Sequence, residues 1–186
     1  MKKILLASAL LTSGLMAPVQ AADYVIDTKG AHASINFTAG HMGFSTLTGR
    51  FNTFSGKFSF DPANMTAAKI TVNIDPSSVD SNHAERDKHL RSDDFLDTSK
   101  FKTAKFISTQ ITDSGDGKLA IVGDFTLHGV TKSIVIDAVK IGEGDDPWGG
   151  YRVGFSGTTT IAMADYGFKM NFGEIELALH IEGKRQ

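Results

Sequence analysis

The chain has 186 residues, a formal charge of −2 and no cysteine among them. The missing cysteines exclude thiol catalysis, thiolate metal sites and disulfide support. A mildly acidic balance without basic blocks argues against nucleic acid or anionic membrane as the main partner.

The first residues read as a processing signal. Met1-Lys2-Lys3 is a short basic start, Ile4 to Val19 is largely apolar, and Val19-Gln20-Ala21 offers a cleavage site. Cleavage after Ala21 would leave 22–186 as one domain and take the charge from −2 to −4, since Lys2 and Lys3 are lost. The apolar run is short and no second long one follows, so no stable membrane insertion is expected. The expected location is the periplasm.

From there the chain alternates apolar and polar residues with the period of a strand. Tyr24 to Asp27 opens, and Ala31 to Ala39 follows with Ala33, Ile35 and Phe37 on one face. Leu47 to Phe60 changes phase midway, from odd-numbered Leu47 and Phe51 to even-numbered Phe54, Phe58 and Phe60, which predicts a β-bulge near Asn52-Thr53. Ala68 to Asp75 is the next strand. Thr103 to Thr112, Lys118 to Leu127, Thr131 to Ile141, Tyr151 to Met163 and Glu174 to Glu182 complete the series. His128-Gly129 reads as a tight turn. Gly142 to Gly150 reads as a loop carrying Trp148, and Ala164 to Gly173 as a second irregular stretch.

One segment departs from this pattern. Ser81 to Lys105 reads as a short, solvated helical flap opened by an Asn82/Glu85 capping pair and carrying Asp87–Arg91 and Glu85–His89 pairs. Too short to stand alone, it must dock through Leu90, Phe95 and Leu96. Eight or nine strands in hairpin order with one helical excursion predict an all-β fold, closed into an antiparallel barrel that removes its edges. An immunoglobulin-like sandwich is the alternative, but the strands are long for it.

No serine-nucleophile elbow, phosphate loop or paired zinc histidines occurs. His83 and His89, six residues apart, would lie about 120° apart on a helix, poor geometry for a shared metal. Asp93, Asp94 and Asp97 are read as capping and solvating the end of the flap. No metal, cofactor or catalytic residue is expected.

The thirteen phenylalanines are more informative. Phe37, Phe51, Phe58, Phe106, Phe125 and Phe155 sit on presumed inward faces, where they either fill a core or line a ligand cavity. Gly49, Gly56, Gly123, Gly157 and Ala39 share those faces and would leave room at the axis.

Specific motifs then resemble the YceI family: GDFTLHGVTK from Gly123 to Lys132, and HLRSDDFLD from His89 to Asp97 leading to Phe101 and Phe106. His32, Phe37, His41, Gly49, Phe51, Phe54, Gly56 and Asp61 are similar to its N-terminal pattern. Asp165, Tyr166 and Gly167 resemble its Asp-Phe-Gly element, although Met163-Ala164 stands where members often carry a basic residue. The resemblance implies an extended, eight-stranded, lipocalin-like antiparallel barrel that binds a polyisoprenoid or similar long-chain lipid. The ligand-binding residues expected are Phe37, His41, Phe51, Phe58, His89, Leu90, Arg91, Phe95, Phe106, Phe125, Leu127, Phe155, Met170 and Phe172. His89 and Arg91 would meet a pyrophosphate or quinone head at the mouth, unless Arg91 is spent on Asp87. The partners expected are the lipid and, as a candidate assembly, a second copy. The competing function is a hydrolase or isomerase using His41, His89 or His128 with Asp94, to be recognised by a histidine and a carboxylate converging inside the cavity.

Overall fold

The computed structural model describes residues 21–186. The expected signal segment, apart from Ala21, lies outside the described residues. Strands run β1 Ala22–Ile26, β2 Ser34–His41, β3 Ser45–Phe51, β4 Phe54–Phe60, β5 Lys69–Ile74 and β6 Val79–Asp80. Helix α1, Ala84–Arg91, follows, and then β7 Ala104–Asp113, β8 Lys118–Leu127, β9 Val130–Asp145, β10 Tyr151–Ala162 and β11 Glu174–Arg185.

All pairings are antiparallel, and the eleven segments make eight staves. β1 and β2 form one interrupted stave, because both pair with β11: Tyr24 opposite Arg185, and Phe37 opposite Leu177. β4 and β3 form the second stave against them, and β5 and β6 the third. β7 through β11 are single strands joined in order to β5, so the β1–β11 pairing closes the barrel.

The phase change in Leu47 to Phe60 is a break rather than the expected bulge. Asn52 and Thr53 leave the ladder and bond to the 3-10 turn Pro76–Ser78 and its preceding residue in the next stave. The Asn52 amide donates to the Ser78 carbonyl at 3.1 Å, the Thr53 amide to Ser78 Oγ at 2.9 Å, and the Asp75 amide to the Thr53 carbonyl at 3.0 Å. Neighbouring staves break side by side, so each satisfies the other's freed backbone groups. The bulges lie elsewhere, at Thr109 and Ile141, each of which the facing register skips.

The loop expected over Gly142 to Gly150 is shorter. Gly142 to Asp145 stay in the β9 ladder, and Asp146 Oδ1 accepts from the amides of Trp148 and Gly150 to close a tight turn. Glycines there signalled a loop, but Gly142 and Gly144 stay paired with Gly154 and Arg152 of β10, and the ladder carries the strand on. His128-Gly129 is the expected turn: both residues have positive φ, 52° and 76°, joining Leu127 directly to Val130.

The flap differs in its local bonds. His83, not Asn82, caps α1, its Nδ1 accepting from the Arg86 amide at 3.2 Å. Asn82 instead takes φ 60° and donates its amide to Asp80 Oδ1. Asp87 does not pair with Arg91. It is buried and accepts from the Ser81 amide at 2.7 Å and the Ser81 hydroxyl at 2.5 Å, while Arg91 donates to the Val79 carbonyl at 3.2 Å. Nor does Glu85 hold His89, whose partner is Asp94. A carboxylate on the docked face of a helix needs local donors more than it needs a solvated partner.

Candidate functional site

Inward residues of all the staves enclose an apolar cavity of about 220 Å³. It runs from Met65, Leu119 and Ala138 near the end of the barrel with the β7–β8 turn, up to Leu90, Phe95, Leu96 and Phe168 under the flap. Among the described residues, Ser59, Ser156 and Thr159 are the only hydroxyl-bearing ones around it, and no ionisable side chain belongs to its wall. At the lower end Tyr24 stacks on Phe58 with centroids 5.1 Å apart, and Phe155 meets Phe58 and Phe60 edge-on at 5.8 and 5.3 Å. This cluster plugs the base of the barrel.

Nine of the fourteen residues expected to bind ligand face this cavity: Phe37, Phe51, Phe58, Leu90, Phe95, Phe106, Phe125, Leu127 and Phe155. Five do not. His41 is exposed at the end of β2. His89 lies on the outside of α1, 3.1 Å from Asp94, both side chains about half exposed. Arg91 is engaged with the Val79 carbonyl. Met170 and Phe172 sit on the rim in the 167–173 loop, partly exposed. Aliphatic residues such as Ile35, Ile70, Ile121, Ile136 and Leu177 make up much of the wall. The signal that finds them is the alternation phase they share with the phenylalanines.

The glycines do not leave bare gaps at the axis. Phe37 lies over Gly49, Phe106 over Gly123 and Phe58 over Gly183, so that an added Cβ would stand 2.3 to 2.4 Å from each ring. Ile26 covers Gly56 and Ile136 approaches Gly157 in the same way. The missing side chains let the rings lie flat against the wall, and that keeps the lumen open.

Three contacts join the flap to the 167–173 loop above the cavity. Phe172 stacks on Phe95 at 5.9 Å with planes 14° apart, the Met170 amide donates to the Asp94 carbonyl at 3.2 Å, and Lys169 pairs with Asp93 at 2.5 Å. That pairing holds the Asp93 carboxyl below its ordinary range and pushes the lysine up. His128 anchors the same region. It lies between Phe101 and Phe168, and its Nδ1 is 3.0 Å from the Tyr166 carbonyl.

The ionic centre is at the barrel seam, away from the cavity. Arg152 of β10 binds Asp27 at 2.6 Å and Asp146 at 2.8 Å, and also Glu182, with His32 3.4 Å from Asp27. The Arg152 guanidinium lowers the Asp27 carboxyl to about 2. Asp27, His32 and Glu182 bring their ligand atoms within 4.8 Å of one another, but the arginine already occupies the carboxylates and ties β1, β10, β11 and the β9–β10 turn together.

A closed antiparallel barrel around an enclosed apolar lumen, with a helical flap at one end, defines a lipocalin-like architecture. A YceI-like domain model matches residues 24–183, and the chain belongs to that family. A UPF0312 protein of Shewanella denitrificans is 59% identical over the whole of both chains, and one of Shewanella sp. strain ANA-3 is 58% identical. Among solved structures, the Campylobacter jejuni YCEI protein is 29% identical, with a TM-score of 0.72 over 79% of this chain and 90% of that one. Burkholderia cenocepacia BcnA matches with a TM-score of 0.75 at 19% identity, covering 84% and 98%. A polyisoprenoid-binding domain from Saccharophagus degradans, implicated in plant cell wall breakdown, matches at 0.66 and 16% identity, covering 90% and 100%. The last two likenesses are of fold.

Proposed function

We propose that this protein carries or stores a long-chain isoprenoid lipid in the barrel lumen without covalent chemistry, and works in the periplasm after loss of residues 1–21. One observation carries the reading: the barrel axis is an open apolar cavity with no ionisable side chain in its wall among the described residues. A core that served only stability would pack to few voids larger than a water molecule. Its slender form suits a threaded chain. Each five-carbon unit taken from water contributes on the order of 4 kcal/mol gross, at roughly 0.8 per buried carbon. Chain ordering and association entropy offset much of that, so several buried units suffice without a strong headgroup site. The printed description of the Saccharophagus domain as polyisoprenoid-binding supports the same class of ligand. The enzymatic alternative lacks its constellation among the described residues: the His89–Asp94 pair is on the outer surface, and no histidine lines the cavity.

Native mass spectrometry of the protein purified from its own cells, followed by organic extraction, tests the reading. A stoichiometric isoprenoid mass is expected, and the same spectrum reports whether two copies pair. An empty protein that also takes up no added polyprenyl lipid would overturn it.

A further inference from the structure

The barrel is closed, but one seam opens near the flap end. Pairing between β9 and β10 stops at Asp137 opposite Thr158. Beyond that point β9, from Val130 to Ile136, keeps only β8, and β10, from Thr159 to Ala162, keeps only β11. The strands splay around a second space of about 590 Å³. Ile134, Thr159 and Ile161 line both this space and the axial cavity, so the two adjoin through one shared wall.

The seam brings in polar groups that the axial cavity lacks, a phenol and an ammonium. Tyr166 is 1% exposed and its hydroxyl has no hydrogen-bond partner, although its ring packs edge-on to Phe125 at 5.8 Å. Buried hydroxyls are nearly always paired, so a free one next to a ligand cavity points to a partner supplied from outside the chain. Burial pushes this phenol up to about 12, which keeps its proton available for donation. Lys132 stands opposite Phe125 in the ladder and therefore has the lumen phase. It is nevertheless exposed, and no carboxylate lies within ion-pair distance of it among the described residues. The splaying of β10 away from β9 explains the exposure: the neighbour that would cover Lys132 is missing. Thr159 adds a third, buried polar side chain.

We propose that the β9–β10 seam receives the polar end of the lumen's guest, with Tyr166 and Lys132 donating to an oxygen on it. The end group is neutral, an alcohol or a carbonyl. Three carboxylates, Asp137, Asp165 and Glu176, share the seam with the single lysine, and that balance disfavours a phosphate. The inference rests on the lipid-carrier reading and narrows its ligand. It also moves the head away from His89 and Arg91, which are engaged elsewhere.

The test compares three probes with one tail: a C20 prenyl alcohol, its monophosphate, and the C20 hydrocarbon without the hydroxyl. Each is titrated against the full protein and against Tyr166→Phe. The wild type should bind the alcohol roughly 5- to 30-fold tighter than the hydrocarbon, the span of one to two net hydrogen bonds, and the phosphate no tighter than the alcohol. Tyr166→Phe should weaken alcohol binding roughly 3- to 10-fold, the share of one of the two donors, and leave the hydrocarbon unchanged. The free variant should melt no lower than the wild type, since the lost hydroxyl bonded to nothing, whereas a hydroxyl with a structural partner would lower the melt. Should Tyr166→Phe fail to fold, Lys132→Gln carries the same comparison. Alcohol affinity unmoved in a folded variant, or a phosphate bound tenfold tighter than the alcohol, overturns the seam site while leaving the carrier reading intact. If no probe binds the wild type at all, the carrier reading fails and the seam site falls with it.

Discussion

The ring of Phe37 lies directly over Gly49, its partner across the β2–β3 ladder, so close that a Cβ on the glycine would stand 2.3 Å from the ring's Cζ. Phe106 covers Gly123 at 2.4 Å from the diagonal position, since Gly123 itself faces Ser108. Gly123→Ala should therefore push the Phe106 ring off the wall and into the lumen. Overpacking of this kind costs about 1–3 kcal/mol, and the displaced ring should also lower lipid capacity. Gly123→Ala combined with Phe106→Leu should recover both. Thermal melts and lipid titration of the pair and of each single variant check it.

Filling the lumen from its floor should separate stability from binding. Ala138 borders the lower cavity, so Ala138→Phe adds a ring where space already exists. Stability is expected to change by less than about 1 kcal/mol, against the 1–3 typical of a packed core. Uptake of a polyprenyl chain should fall at least tenfold. A variant that melts far below the wild type would mean that the lumen has no room to give.

Phe172 stacked on Phe95 joins the 167–173 loop to the flap. Phe172→Ser should speed lipid release severalfold while leaving the barrel's melting temperature nearly unchanged, because the ring is already 41% exposed. The exposed Lys169–Asp93 pair in the same latch is open to screening, so release from the wild type should quicken with added salt. Stopped-flow transfer of a fluorescent lipid to vesicles measures both.

Arg152 neutralises the buried Asp27 at the closure seam, and removing it strands that carboxylate. Arg152→Met should lower the melting temperature on the order of 10 °C, far more than loss of an exposed pair. Differential scanning calorimetry reads the difference.

Acid should act through the same residue. The Asp27 carboxyl falls from an ordinary 3.8 to about 2 in the folded chain. Its contribution is therefore complete above about pH 4 and is lost as pH drops through about 2. Denaturant midpoints should fall steeply between pH 4 and 2, and less steeply in Asp27→Asn. Parallel slopes for the two proteins would remove Asp27 from the account.

Alternation was enough to reveal most of this fold. Most strands from Ala104 onward were legible from side-chain period, because each has one face in the core and one in water; Val130–Asp145 was the exception, apolar on both faces and with a glycine-rich end that read as a loop. The tight His128-Gly129 turn was legible too, from a glycine beside a residue that tolerates positive φ. The break at Asn52-Thr53 showed only as a change of phase. Its form depended on Ser78, a residue from another stave that supplies the missing backbone partners. Helix α1 was found from its composition, but its cap and its buried Asp87 depended on what Ser81 and Val79 offered nearby.

The sequence by itself determined which faces are apolar, and hence that the seven strand-borne candidates would share one lumen, since period two leaves an inward residue no other direction. Only the tertiary structure decided whether that lumen is open, because openness depends on rings lying flat over glycines of adjacent strands. The tertiary structure likewise decided that His41, His89 and Arg91 stand outside the cavity while Tyr166 and Lys132 line the same splayed seam. Such placements follow from where strand pairing ends, and pairing is a relation between distant segments that no local pattern encodes.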